Sequence, residues 1–331
     1  MRVAPGLLVS LVFYAAMSCA ADFKYIRQGN PQDVQTHAEA GIAMMGGGSD
    51  LDEAFRWLCV KANGGDFLIL RAHGSADYNP YVNGLCKTNS VATLIIPSRK
   101  AAQKPHVAEI IGQAEAIFIA GGDQARYVNF WKGTAVENAI NAHVAAGKPI
   151  GGTSAGLAVL GEFVYGALGD KPDDADLTSR EVLADPYIKR VTVVRDFLKI
   201  PLLANILNDS HFAQRDRMGR SLGFLARIVA DAWSKAPREI AIDEKSALLV
   251  EANGRGKVVG TGRGVYFLQI TEAPEVCKPG QPLTLRNVAA YHAPARATFD
   301  VRAWSGDGGE AYEISVEKGS VRSSGAHGAV Y

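Results

Sequence analysis

Charge of one prevailing sign is missing from this chain: its 331 residues carry 35 Lys and Arg against 34 Asp and Glu. Without a net field, nothing in the composition draws the protein to nucleic acid or to an anionic membrane, so any preference for charged ligands has to be local. Metal-ligand spacing is missing as well. The seven histidines are scattered and the four cysteines form no cluster, so neither a metal nor another cofactor is expected. The glycine runs at Gly46–Gly48 and Gly121–Gly122 complete neither G-x-G-x-x-G nor G-K-S/T, which sets nucleotide binding aside. No internal repeat is visible. Beyond the first twenty residues there is no apolar run long enough for a membrane helix. With 47% apolar and 21% charged residues, the balance is that of a globular protein.

The first residues read as an export signal. Arg2 gives a short positive start, Leu7 to Ala16 form an apolar run too short to span a bilayer, and Ser18-Cys19-Ala20 offers small residues for cleavage. The expected organisation is a signal at 1–20, an α/β domain at 21–250 and a β-rich extension at 251–331. The location that follows is secreted or periplasmic, with no membrane attachment after signal removal. A lipoprotein reading through Cys19 is weaker, because Ala16 and Met17 stand where a larger aliphatic residue belongs. Cys59, Cys86 and Cys277 remain, enough for at most one internal disulfide. A pairing of Cys59 with Cys86 is left open.

From Ile42 onward, short apolar runs alternate with amphipathic segments, the pattern of a parallel sheet covered by helices. Strands are expected at Ile42–Met45, Phe67–Leu70, Val91–Ile96, Ala116–Ala120, Ile240–Ile242 and Ala247–Val250, with another within Ile200–Leu207. Ser49 is expected to cap a first helix, Thr134 and Glu137 to form a capping box, and Arg215–Trp233 to be helical. After about Glu251, glycines punctuate short β-like segments such as Val265–Ile270, Thr298–Arg302 and Tyr312–Val316.

The sharpest chemical signal is Gly152-Thr153-Ser154-Ala155-Gly156, of the form G-x-S-x-G. A tight strand-to-helix turn lifts a serine hydroxyl clear of the backbone, and small neighbours keep it clear. Ala155 opens a helix whose free N–H groups can stabilise an oxyanion. The competing reading is a glycine-rich turn with an idle serine. Its position between an expected core strand and an expected helix favours the nucleophile. A serine needs a base, and His211, just after an expected strand, is the best placed. Arg215, Arg217 and Arg220 follow with Asp216 as the one acid among them, a composition suited to binding a carboxylate. Either Asp243 or Glu244 could orient the imidazole; residue patterning leaves both open. Gly121-Gly122-Asp123 ends another expected strand and brings backbone N–H groups within reach of a ligand.

Together, Gly46-Gly47-Gly48, Phe118–Gln124, Gly151–Gly156, Asp209–Arg220 and Ile242-Asp243-Glu244 resemble the cyanophycinase and aspartyl dipeptidase (peptidase E) family of serine peptidases, over most of the chain to about Val250. The resemblance implies a class I glutamine amidotransferase-like fold: a doubly wound, mostly parallel sheet with helices on both faces. It implies Ser154 as nucleophile, His211 as base and Glu244, rather than Asp243, as the acid. It further implies Gly122 and Ala155 as oxyanion donors, and Gln124, Asp209, Arg215, Arg217 and Arg220 as the pocket for an aspartyl peptide. Two positions depart from the family pattern: Ser210 stands where glutamine precedes the histidine, and Gly48 continues as Ser49-Asp50-Leu51. The expected partner is a peptide substrate carrying aspartyl residues; a homodimer is left open. Two rival readings remain. One is an esterase of the ordinary α/β-hydrolase kind using His292 or His327. The other is an exported binding module without turnover.

Overall fold

The computed structural model describes residues 22–171 and 174–331; the expected export signal at 1–20 lies outside them. The chain opens with β1 (Lys24–Gly29) and β2 (Gly41–Met45). Gly47 and Gly48 then hold φ at +92° and +74°, a region open to glycine, and keep the chain turning. Helix α1 (Asp52–Lys61) begins only beyond that turn. Ser49 therefore does not cap it: Leu51 stands at the cap, and Asp52 and Glu53 occupy the first turn, where negative charge suits the helix dipole.

The alternation continues through β3 (Asp66–Arg71), α2 (Tyr78–Leu85), β4 (Ser90–Ile95), α3 (Arg99–Ala102), α4 (Pro105–Gln113), β5 (Ala116–Ile119), α5 (Gln124–Trp131) and α6 (Ala135–Ala145). The expected capping box of α6 does not form, because Thr134 donates its hydroxyl to the Trp131 carbonyl and Glu137 accepts from the Gly133 amide. Next come β6 (Ile150–Thr153), α7 (Ala155–Ala158), β7 (Phe163–Tyr165), α8 (Ser179–Ala184) and β8 (Val193–Arg195). The apolar stretch at 200–207 divides into a 3-10 turn, Pro201–Leu203, and β9 (Ile206–Asp209); Pro201 has no N–H for a sheet ladder. Helix α9 spans Met218–Ala230, three residues shorter at its start than expected. His211 and Asp216 hold positive φ of +48° and +49°, so the chain makes a compact turn before it can coil. The remaining strands are β10 (Arg238–Ile242), β11 (Ser246–Glu251), β12 (Arg255–Gly260), β13 (Val265–Gln269), β14 (Leu285–Ala293), β15 (Thr298–Asp300), β16 (Ser305–Asp307), β17 (Glu310–Glu317) and β18 (Ser320–Ser323).

The fold is α/β, and among the described residues its strands form two sheets. One runs β1-β4-β3-β5-β6-β2-β11-β12-β15-β16, with β4, β3, β5, β6 and β2 parallel. The other runs β18-β17-β14-β13-β10-β9-β7-β8, with β10, β9 and β7 parallel. Residues beyond Glu251 extend both sheets by antiparallel pairing: β12 pairs with β11, and β13 with β10. The two sheets are also joined where Phe267 of β13 stacks on Phe299 of β15, with ring centroids 3.5 Å apart.

Side-chain alternation assigns each strand face to a core. Ile42, Met44, Leu68 and Ile117 point to one cluster, and Ala43, Met45, Phe67 and Phe118 to another on the opposite face. Helix α1 covers the second through Phe55 and Leu58. The first is shared with α4, α6 and the inner face of the other sheet, through Ile110, Ile140, Ile206 and Ile240. The outer face of that second sheet packs Leu207 and Tyr266 with Leu222 and Leu225 of α9. Helices thus cover both faces of the parallel region, and the carboxyl ends of β2, β5, β6, β9 and β10 each lead into a loop bearing chemically distinctive residues, the usual site edge in such sheets.

Candidate active site

Ser154 sits between β6 and α7 with φ +52° and ψ −119°. This is a strained conformation for a residue with a side chain, and such strain is a feature of a nucleophile elbow. The flanking glycines are steric necessities. A Cβ on Gly152 would lie 2.5 Å from the Gly156 carbonyl oxygen, and one on Gly156 would lie 2.0 Å from that of Ile119. Both contacts are with backbone, which cannot swing away.

The Ser154 Oγ is 2.7 Å from Nε2 of His211, and His211 Nδ1 is 2.6 Å from Oε1 of Glu244. The carboxylate can only accept, so Nδ1 carries the proton and Nε2 is left to accept from the serine hydroxyl. Three consecutive carbonyls, beginning at the last residue of β2, hold this arrangement. Met45 O accepts from Ser154 N at 3.2 Å, Gly46 O from His211 N at 2.8 Å, and Gly47 O from Lys245 N at 3.1 Å. The glycine run leaves room for the side chains it supports: a Cβ on Gly47 would meet the His211 ring, and one on Gly48 would meet the Glu244 carboxylate at 2.9 Å. Asp243, the other candidate acid, faces away and accepts from the Gln214 amide at 2.9 Å.

Burial holds the His211 imidazole below its ordinary pKa. The hydrogen bond that the ring donates to Glu244 opposes that shift, while the charges of Arg215 and Arg217 add to it. The ring therefore stays neutral over a wider range toward acid.

Gly122 and Ala155 line the same cavity as Ser154, a space of about 460 Å³ that also reaches Gln124, Tyr165, Asp176 and the arginine cluster. Gly122 has φ +155°, and Asp123 caps α5 by accepting from Ala125 N at 2.8 Å.

The arginine cluster differs from the expectation that Asp216 is its one acid. Asp209, at the end of β9, is buried and binds Arg220 through Nε at 2.7 Å and Nη2 at 2.5 Å. Arg220 is 2% exposed, and its guanidinium lies 5.3 Å from the Tyr165 ring and 5.8 Å from the Phe224 ring, which stack on each other. Arg217 donates to Asp209, the Ser210 carbonyl and Asp176. Burial alone would raise the Asp176 carboxyl; hydrogen bonding and charge from Arg217, then Arg215, bring it down to about 2. Arg215 donates to Asp176 at 2.9 Å and stands 4.0 Å from Glu244, with 42% of its side chain exposed. Among the three, Arg215 is the one open to solvent. Asp176, Asp209 as a pair to arginine, and the supporting role of Gly46–Gly48 were not read from sequence. The one available signal was the placement of Asp209 two residues before the histidine.

His292 stacks on Tyr266 and bonds the Arg263 carbonyl at 2.6 Å, whereas the imidazole beside Ser154 is that of His211. Cys59 and Cys86 form a disulfide. Cys277 is a buried free thiol.

Comparison with known proteins adds the following. The model of peptidase family S51 matches residues 69–184, a span that includes Ser154. A cyanophycinase of Trichormus variabilis (strain ATCC 29413 / PCC 7937) is 27% identical over 208 residues, 61% of this chain and 62% of the relative. The aligned part is thus less than two thirds of that relative's length. A cyanophycinase of Synechococcus elongatus is 28% identical over 251 residues, 70% of each chain. Among solved structures, a peptidase from an acI-B1 Actinobacterium is 18% identical with a TM-score of 0.48, covering 72% of this chain and 96% of that one.

Proposed function

We propose, from the chain's likeness to peptidase family S51 and to cyanophycinases, that it is an exported serine peptidase cleaving aspartyl-type peptide bonds, β-Asp-Arg or related. The observation that carries this reading is the unbroken donor chain from Ser154 through His211 to Glu244, at 2.7 and 2.6 Å. Ser154 Oγ bonds to the substrate carbonyl carbon while its proton passes to Nε2 of His211. Glu244 steadies the imidazolium through Nδ1. The carbonyl oxygen, now negative, is received by the amides of Gly122 and Ala155, a donor of this kind contributing on the order of 3 kcal/mol to the transition state. Nε2 then protonates the leaving amine, the C–N bond breaks, and an acyl-ester remains on Ser154. Water, deprotonated by His211, cleaves that ester and restores the serine.

Arg215, the exposed member of the arginine cluster, is the group offered to the aspartyl carboxylate, with Gln124 lining the same cavity. Export is supported by the charged-then-apolar start of the chain and by the Cys59–Cys86 disulfide, a bond at home in an oxidising compartment. The test is a panel of α- and β-aspartyl dipeptides and insoluble cyanophycin, read for product release. Ser154→Ala should abolish turnover with an unchanged melting temperature, and Glu244→Gln should reduce it by about 10³-fold or more. Turnover retained in Ser154→Ala would remove this mechanism.

A further inference from the structure

Beside the large cavity lies a smaller one of about 250 Å³, which shares Gly122, Asp123 and Arg126 with it and whose further lining includes Arg71, His73, Gly121 and Tyr127. Arg71 ends β3, the parallel neighbour of β5, and so emerges at the edge where Gly121 and Gly122 begin. Its guanidinium has little to hold. Nη1 donates to the Ser75 carbonyl at 3.0 Å, the group faces the Tyr78 ring at 5.7 Å, and Nε is buried without a partner. Among the described residues Arg71 makes no ion pair. Gly74 makes room for this placement, since a Cβ there would lie 2.6 Å from Nη2. The one acid in the cavity, Asp123, is engaged by Ala125 N at 2.8 Å and by Arg126 Nε at 3.5 Å.

A partly desolvated arginine fork without a counter-charge is a costly arrangement unless an anion completes it. We propose that the cavity of Arg71, His73 and Arg126 is a second substrate subsite, taking a carboxylate on the part of the peptide that lies across the Gly121–Gly122 segment from the arginine-cluster cavity. The two cavities meet at Gly122, so a substrate whose carbonyl rests there and whose aspartyl end fills the larger space extends its other end into the smaller one. The planar fork of Arg71 matches a carboxylate in two-point geometry, which an ammonium could not reproduce. This subsite rests on the peptidase reading, and its test separates the two.

The test is binding to the Ser154→Ala protein, where cleavage plays no part. Calorimetry compares β-aspartyl-leucine with β-aspartyl-leucinamide, which differ only in the terminal carboxylate. The free acid should bind at least 10-fold more tightly. Adding Arg71→Met should narrow that gap to threefold or less, and Arg71→Lys should retain part of it. Circular dichroism shows whether each variant is folded, and the lysine variant decides if the methionine one is not. Equal affinity for acid and amide with Arg71 intact, no binding of either, or a gap untouched by both substitutions would overturn the subsite. Turnover of the same two compounds by the unaltered enzyme separately tests the peptidase reading.

Discussion

A Cβ atom on Gly47 would stand 2.5 Å from Cε1 and 2.6 Å from Nε2 of His211. The residue that makes space for the proposed base thus lies 164 positions before it, on the loop whose carbonyls also hold Ser154 and Lys245. Gly47→Ala is expected to push the imidazole off the serine. A displacement near 1 Å in a reacting group costs about 10²-fold in rate. The positive φ of +92° adds a strain of about 1–2 kcal/mol. The expected outcome is a fall in kcat of about 10²-fold with a modest loss in Tm, measured by steady-state kinetics and thermal unfolding. Unchanged kcat would mean that this contact does not position the ring.

The pH profile reports on the charges around His211. Burial lowers its pKa first, and Arg215 and Arg217 lower it further against the opposing Glu244. The acid limb of kcat/KM, which follows the free enzyme's base, should therefore have its midpoint below about 6.5. Arg215→Gln removes a neighbouring positive charge, so the imidazolium becomes easier to form and the midpoint moves to higher pH. Movement toward lower pH would contradict the electrostatic account, whatever happens to the overall rate.

Tyr331 links the β-rich C-terminal region to the turn that carries His211. Its hydroxyl accepts from Met218 N at 2.7 Å, at the start of α9, and donates to Asp216 at 3.0 Å, while its ring packs edge-on against Phe212 and Tyr266. Tyr331→Phe should cost about 1 kcal/mol for the lost hydrogen bonds. Tyr331→Ala should cost about 2–4 kcal/mol, since the ring contacts go too. Both are measurable by urea unfolding. If the tyrosine positions the histidine turn, kcat falls several-fold in both variants while KM changes little. An effect on stability alone would limit Tyr331 to holding the fold.

What could be read in the sequence was what depends on near neighbours. The need for Gly152 and Gly156 around Ser154 is local sterics over five residues, and buried strands announce themselves as apolar runs. Glu244 could not be separated from Asp243 by patterning, because adjacent residues at a strand's exit point in different directions and the sheet decides which one meets the imidazole. Resemblance to known peptidases was needed there. Apolar runs also carry no label for their partners, so nothing in β2 and β10 tells which of two sheets each will enter. The start of α9 is not legible in the sequence because positive φ at His211 and Asp216 is set by packing of the turn rather than by helix propensity. The acids of the arginine cluster are hidden for a similar reason: charge along the chain shows Asp216 alone, while Asp176 arrives from a distant loop and Asp209 from the preceding strand.

That difference separates three arginines that look alike in sequence. Arg220 and Asp209 are both buried and bound in two-point geometry. Removing one partner strands the other charge at a cost of about 3–5 kcal/mol, whereas replacing both by apolar groups is far milder. Asp209→Leu or Arg220→Met alone should therefore lower Tm steeply, and the double variant should recover much of it. Arg215 is exposed and touches the cavity, so Arg215→Met should leave Tm nearly unchanged. Its effect belongs to substrate choice: activity on aspartyl peptides should drop at least 10-fold relative to a neutral ester cleaved by the same serine. Equal losses on both substrates would place the carboxylate elsewhere. Arg220 and Arg217 are held by carboxylates inside the protein, whereas the pair of Arg215 with Asp176 is open to solvent and can be exchanged, so Arg215 is the arginine proposed to meet a carboxylate from the substrate.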